Sequence, residues 1–170
     1  TGANVCAAAS ATVEVDIEPS PHAGTDGTVT LCSSDQGGML IGWLGGTPQA
    51  GGVWTGPGGV VADDAFQPGV DQPGQYVYTL TAAPRCGTAQ ATLDVVVLQA
   101  PDAGNDASVT FCAGDAASAL FPLLGASADA GGTWTAPGGG SFSGIFDPAS
   151  DPSGAYVYGV AADAPCATAT

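Results

Sequence analysis

The chain has 170 residues, with sixteen Asp and Glu against the single base Arg85, no lysine, and a formal net charge of −15. Such a polyanion repels nucleic acid and acidic membrane surfaces, and without lysine it can form no lysine-based isopeptide cross-link. No stretch approaches transmembrane length, while 27 glycines and 13 prolines work against helices and leave enough aromatic, valine and leucine residues for small β cores.

An internal repeat sets the organisation. Residues 21–90 align with 101–170 without a gap, and roughly 30 of 70 positions are identical. Pro21 and Pro101, Cys32 and Cys112, and Trp54 and Trp134 keep one offset, as do Cys6, Cys86 and Cys166. Residues 1–20 match 81–100 in the same way. The expected division is 1–20 as the final strand of a preceding repeat, 21–100 as a complete repeat, and 101–170 as a repeat lacking its last strand. The chain then reads as a window from a longer mature protein.

In chain order, Val13, Val15 and Ile17 alternate with acids across Ala11 to Glu18, which predicts a strand with one dry face. Its counterpart, residues 91–98, is more apolar and suits cover on both faces. Pro-containing junctions follow each run and read as short, stiff linkers. Residues 28–32 and 108–112 are expected as first strands. Apolar clusters come next, at Leu40, Ile41 and Leu44 and at Leu120, Phe121 and Leu124. Glycine pairs then precede Trp54 and Trp134, Pro-Gly-Gly turns follow, and Phe66 and Phe146 lead to an Asp-Pro-Gly type turn. That turn feeds Tyr76-Val77-Tyr78 and Tyr156-Val157-Tyr158, strands with tyrosines on one face. The pattern predicts an all-β chain of tandem sandwich units.

Cysteines at repeated positions favour an oxidising, extracellular setting. Within each unit Cys32 can pair with Cys86 and Cys112 with Cys166, closing loops of about 55 residues worth about 3 to 4 kcal/mol each in the chain-entropy description. Cys6 is left for a partner outside the chain given. Thiolate metal ligation is the alternative, but no C-x-x-C spacing exists and His22 is the only histidine.

Trp54 and Trp134 suit core positions near a disulfide; as an exposed pair they would instead form a sugar-stacking platform. Tyr76, Tyr78, Tyr156 and Tyr158 suit structural anchors of the tyrosine-corner kind. Six repeated aspartates, Asp26 with Asp106, Asp35 with Asp115 and Asp71 with Asp151, suit caps of turn amides. Asp102, Asn105 and Asp106 could alternatively gather calcium at a junction; otherwise no cofactor is implied. One unrepeated histidine, one arginine and no lysine make a catalytic constellation hard to assemble, so no enzyme activity is expected.

The succession Pro-x-Ala-Gly-x-Asp, Val-Thr-x-Cys, Gly-Gly-x-Trp-Thr-x-Pro-Gly-Gly, Phe-x-Pro, Asp-x-x-Gly-x-Tyr-Val-Tyr and a closing Cys resembles PKD-like or immunoglobulin-like tandem repeats. Such repeats occur in very large cell-surface, gliding-motility-associated adhesins of Bacteroidota. The resemblance covers nearly the whole chain. It implies export by a type IX secretion route and a role as a stalk or fibre segment at the cell surface, with neighbouring repeats and other copies as partners and an unknown glycan or protein ligand. Two other functions fit the residues: a carbohydrate-binding module using Trp54 and Trp134, and a pilus-like subunit in which residues 11–18 complete a neighbour's open last unit. Pairing of Cys112 with Cys166 would count against the second.

Overall fold

The structure is a computed structural model that describes residues 9–83 and 85–170. Its regular structure is β throughout, with no α-helix among the described residues and a few short 3-10 turns. No helix there is long and apolar enough to cross a membrane.

Seven strands fall in residues 21–100: β1 (Gly27–Cys32), β2 (Gly38–Met39), β3 (Val53–Thr55), β4 (Val61–Ala62), β5 (Ala65–Phe66), β6 (Gly74–Thr81) and β7 (Thr88–Leu98). Five of them form one sheet in the order β1-β7-β6-β3-β4, while β2 pairs with β5. β7 is the centre of this arrangement. It runs antiparallel to β6 and parallel to β1, with Leu93 opposite both Tyr76 and Gly27 and Leu98 opposite Cys32.

Alternation along the two long strands decides which side chains meet. On β6 the inward residues are Tyr76, Tyr78 and Leu80; on β7 they are Ala91, Leu93 and Val95. These join Trp54 from β3, Phe66 from β5, and Leu40 and Leu44 from the segment after β2 in one core. Full burial of a side chain such as Leu93 or Val95 contributes about 1.5–3 kcal/mol, so β7 supplies a large part of what holds the first repeat. Val96 remains 43% exposed, so β7 is covered on one face, not both as its composition suggested.

The second repeat has β8 (Ser118–Ala119), β9 (Thr133–Thr135), β10 (Ser141–Phe142), β11 (Ile145–Phe146) and β12 (Val157–Gly159). They lie eighty residues after β2, β3, β4, β5 and the middle of β6, in sheets ordered β10-β9-β12 and β11-β8. β1 and β7 have no such counterpart. Residues 108–112 and 11–18, both expected as strands, form no ladder. The physical reason is shared: β1 exists because β7 lies beside it, and neither 108–112 nor 11–18 has a strand within reach to receive its backbone groups. A bridge between Val160 and Ala169 repeats the Leu80 and Ala89 pairing, so the register of a β7 counterpart starts correctly at the last three residues.

Candidate functional site

The turn into β6 is closed by Asp71, whose Oδ2 accepts the Gln67 N–H at 2.7 Å; Asp151 does the same for Asp147 N–H at 2.8 Å. From there the tyrosines lock the loops. The Tyr78 hydroxyl donates to the Gln49 carbonyl at 2.6 Å and accepts from the Gly52 N–H at 2.8 Å. Tyr158 repeats both bonds with Asp129 and Gly132 at 2.8 and 2.7 Å. A Cβ at Gly52 or Gly132 would stand 2.5 or 2.6 Å from the phenol ring carbon, which explains the glycine before each tryptophan. Tyr76 and Tyr156 donate to carbonyls four residues back, at Gln72 and Pro152. Burial and then the nearby Asp71 and Asp151 carboxylates hold these two phenols above the usual tyrosine range.

Trp54 is 1% exposed and tilts against Tyr78 at 4.9 Å between centroids, so it offers no stacking face to solvent. Trp134 packs on Tyr158 at 5.0 Å but is only half-buried. It lines an open groove of about 680 Å³ bounded by residues 103–111, Leu120, Phe146 and Tyr156. In the first repeat the corresponding space is filled by β7, whose Leu93 is 0% exposed against Tyr76.

The acids divide accordingly. Asp26 Oδ1 accepts the Thr92 N–H at 2.7 Å, and this bond followed by that to the Thr92 side chain holds the Asp26 carboxyl below the usual carboxylate range. Its counterpart Asp106 lines the groove. Asp35 and Asp115 accept the N–H of Cys32 and of Cys112 at 2.8 and 2.7 Å. Asp102 Oδ1 accepts the Gly104 N–H at 2.7 Å, the task that His22 Nδ1 performs for Gly24. A histidine and an aspartate doing one job in two junctions identifies that job as turn closure. Among the described residues no group of three or more histidine, cysteine, aspartate or glutamate side chains is gathered for a metal ion.

The disulfide pairing differs from expectation. Cys32 is bonded to Cys166, with Cα atoms 4.9 Å apart and a sequence separation of 134. The pairs Cys32 with Cys86 and Cys112 with Cys166 are therefore not formed, and Cys86 and Cys112 carry free thiols. Register gives the reason. Cys32 ends β1 opposite Leu98, whereas Cys86 lies in the tight turn before β7, roughly 30 Å away along that strand. Cys166 lies instead beside the Leu98 and Gln99 carbonyls, 3.7 Å from each, where Cys32 arrives. Cys86 occupies the matching position one repeat earlier, 3.7 Å from the Glu18 carbonyl. Cys6 lies outside the described residues.

The junction between the repeats has a second tie. The Ser33 N–H donates to the Leu98 carbonyl at 2.8 Å and its hydroxyl accepts the Ala100 N–H at 2.9 Å. Before β7 the Ala82 N–H donates to the Gly87 carbonyl and the Cys86 N–H to the Ala83 carbonyl, and Arg85 is exposed. Trp54, Tyr76, Tyr78 and Tyr158 are buried and Asp35, Asp71, Asp115 and Asp151 cap local amides, whereas Trp134 and Tyr156 are half-buried and Asp26, expected as a turn cap, bonds Thr92 of β7. Sequence reasoning missed the groove as a place and the pairing of Cys32 with Cys166, although the sameness of Cys6, Cys86 and Cys166 was the available signal. Compared with known protein families and with curated proteins, the chain matches none.

Proposed function

We propose that the chain is a structural segment of an extracellular fibre or stalk, built of immunoglobulin-like (PKD-like) β-sandwich repeats of the kind found in bacterial surface adhesins. The observation that carries this is the Cys32–Cys166 bond, which crosses from one repeat to the next. A module that acts alone needs its staple inside itself. A staple between modules, reinforced by the Ser33 clamp on Leu98 and Ala100, fixes how successive units are set, as a rod requires. A disulfide of this kind persists in an oxidising compartment, in keeping with export. The net charge of −15 keeps neighbouring rods apart in solution.

The composition supports the same view from the side of chemistry. His22, the only candidate base for nucleophilic catalysis, has its Nδ1 engaged by Gly24 in a turn. The partners of the segment are then neighbouring repeats and other copies, with any terminal ligand carried elsewhere. The test is antibody labelling of intact, unpermeabilised cells combined with electron microscopy of the labelled material. Label on extended structures outside the cell is expected; label found only after lysis overturns the proposal.

A further inference from the structure

We infer that the open edge of the first repeat, at β4, takes a lysine-bearing extended segment of a partner protein: the segment pairs with β4, and its lysine enters a cleft beside residues 56–63. This site stands apart from the fibre function and from the groove at Trp134.

The cleft exists because two residues are small. It has a volume of about 220 Å³ and lies between the β3–β4 hairpin and the turn into β6, with Pro57, Val60, Ala62, Asp63, Asp71 and Tyr76 around it. A Cβ at Gly56 would stand 3.1 Å from Tyr76 Cε1 and 3.4 Å from the Ala62 methyl, so Gly56 and Ala62 together keep this wall thin. In the second repeat both residues are larger. Ala136 replaces Gly56, and Phe142 replaces Ala62 and packs on Tyr156 at 4.6 Å. Where the second repeat covers its tyrosine with a ring of its own, the first leaves room for a side chain from elsewhere.

The change is concentrated in one run. Residues 60–65 differ from 140–145 at every position, although Gly59 and Phe66 on either side match Gly139 and Phe146. In that run Val60 and Val61 stand in place of Gly140 and Ser141, and Asp63 in place of Ser143. Val60 and Val61 are 64% and 80% exposed, at the strand that ends the order β1-β7-β6-β3-β4. The Gly56 N–H donates to the Val60 carbonyl, and Ala62 stands opposite Trp54; antiparallel alternation then turns the Val61 N–H and C=O away from β3, to the open edge. An extended peptide laid along β4 pairs with these groups and covers the two valines.

Charge selects the occupant. Asp63 is exposed, and Asp71 engages the Gln67 N–H through Oδ2, which leaves its Oδ1. Burial and then the Asp71 carboxylate raise the Tyr76 phenol, so the cleft floor lies within the field of that carboxylate. An apolar cleft with two carboxylates beside it matches a side chain that has an apolar stem and a cationic tip. The carboxylates stand on different elements, one after β4 and one before β6. Three donors radiating from a single ammonium nitrogen suit them better than the planar fork of arginine. The 170 residues hold no lysine, so the side chain comes from outside them.

The test titrates the 170-residue chain with the peptide Thr-Val-Lys-Val-Thr, acetylated and amidated at its ends, and follows the backbone amide resonances. Saturable shifts led by Val61 and confined to residues 56–63 and 71–76 are expected. Norleucine in place of the lysine should weaken binding about tenfold, and Asp63→Asn about threefold, the scale of exposed ion pairs on an apolar support. Ala62→Phe, which puts the second repeat's own residue into the cleft, should abolish the shifts. Asp63→Asn alters only an exposed side chain, so the result does not hang on how Ala62→Phe folds. No shifts, shifts centred elsewhere, or equal binding of the norleucine peptide overturn the site. So does self-association of the peptide-free chain that Val61→Ser removes, which would make a second copy the occupant of this edge.

Discussion

Residues 21–100 and 101–170 carry the same tryptophan, the same pair of tyrosines and the same turn acids, yet only the first half has a closed core. Leu40, Trp54, Phe66, Tyr76, Tyr78 and Leu93 are buried there, whereas in the second half burial of apolar side chains is confined to Leu120, Tyr158 and Cys166. The difference is one strand. β7 contributes Ala91, Leu93 and Val95 and pairs on both edges, and its absence from the second half leaves Trp134 at a groove and residues 108–112 without a ladder. Loop locks and strand cores are thus separable layers of this architecture: the tyrosine bonds form in both halves, the core in one.

That separation can be broken by measurement. The largest contrast is expected from the tryptophans. Trp54→Ala should cost about 3–5 kcal/mol in the unfolding of residues 21–100, and Trp134→Ala less than half as much in residues 101–170. Denaturant titration read by segment-resolved hydrogen exchange gives both values, and equal costs would dissolve the contrast. A smaller effect sharpens it from the other side. Tyr78→Phe leaves the Gly52 N–H and Gln49 carbonyl without their partner and should cost about 1–3 kcal/mol; Tyr158→Phe should cost about the same, because its lock does not involve β7. A large gap between the two would show that the lock depends on the core after all.

The smallest effect is in acid. Asp26 has a folded-state pKa below its unfolded one, so its contribution is present above the unfolded pKa and is lost as pH falls through the folded one. Thermal midpoints of residues 21–100 should therefore decline below about pH 4, and Asp26→Asn should flatten part of that decline.

How much of this could be read from residues alone depends on the range of the interaction. The alternation at Tyr76, Tyr78 and Leu80 and the turn caps at Asp35, Asp71, Asp115 and Asp151 are local patterns, and local patterns are written in adjacent residues. The place of Trp54 followed from its glycine pair, since Gly52 makes room for the Tyr78 phenol. The disulfide was not local. Four cysteines at equal offsets allow three connectivities, and the choice among them was made by the parallel register that ends β1 opposite Leu98, a property of two strands whose paired residues lie 66 apart in sequence. Residues 11–18 show the converse: their alternation is that of a strand, but a strand is a relation to a neighbour, and among the described residues they have none. The junction acids were ambiguous because aspartate serves cations and turn amides with the same oxygens. At Asp102 the histidine in the equivalent place, bonded to Gly24, shows the turn-closing task.

The Cys32–Cys166 bond also redirects tension. Under tension the chain transmits force covalently from the residues before Cys32, across the sulfurs, to those after Cys166, so that residues 33–165 sit in a closed loop off the line of load. Even with every sheet undone, that loop adds no length along the line of load, where unbridged it would add about 460 Å. The core around Trp54 lies almost wholly inside that loop. It is spared from stretching, and its role under strain is to hold shape while the backbone shortcut bears the pull.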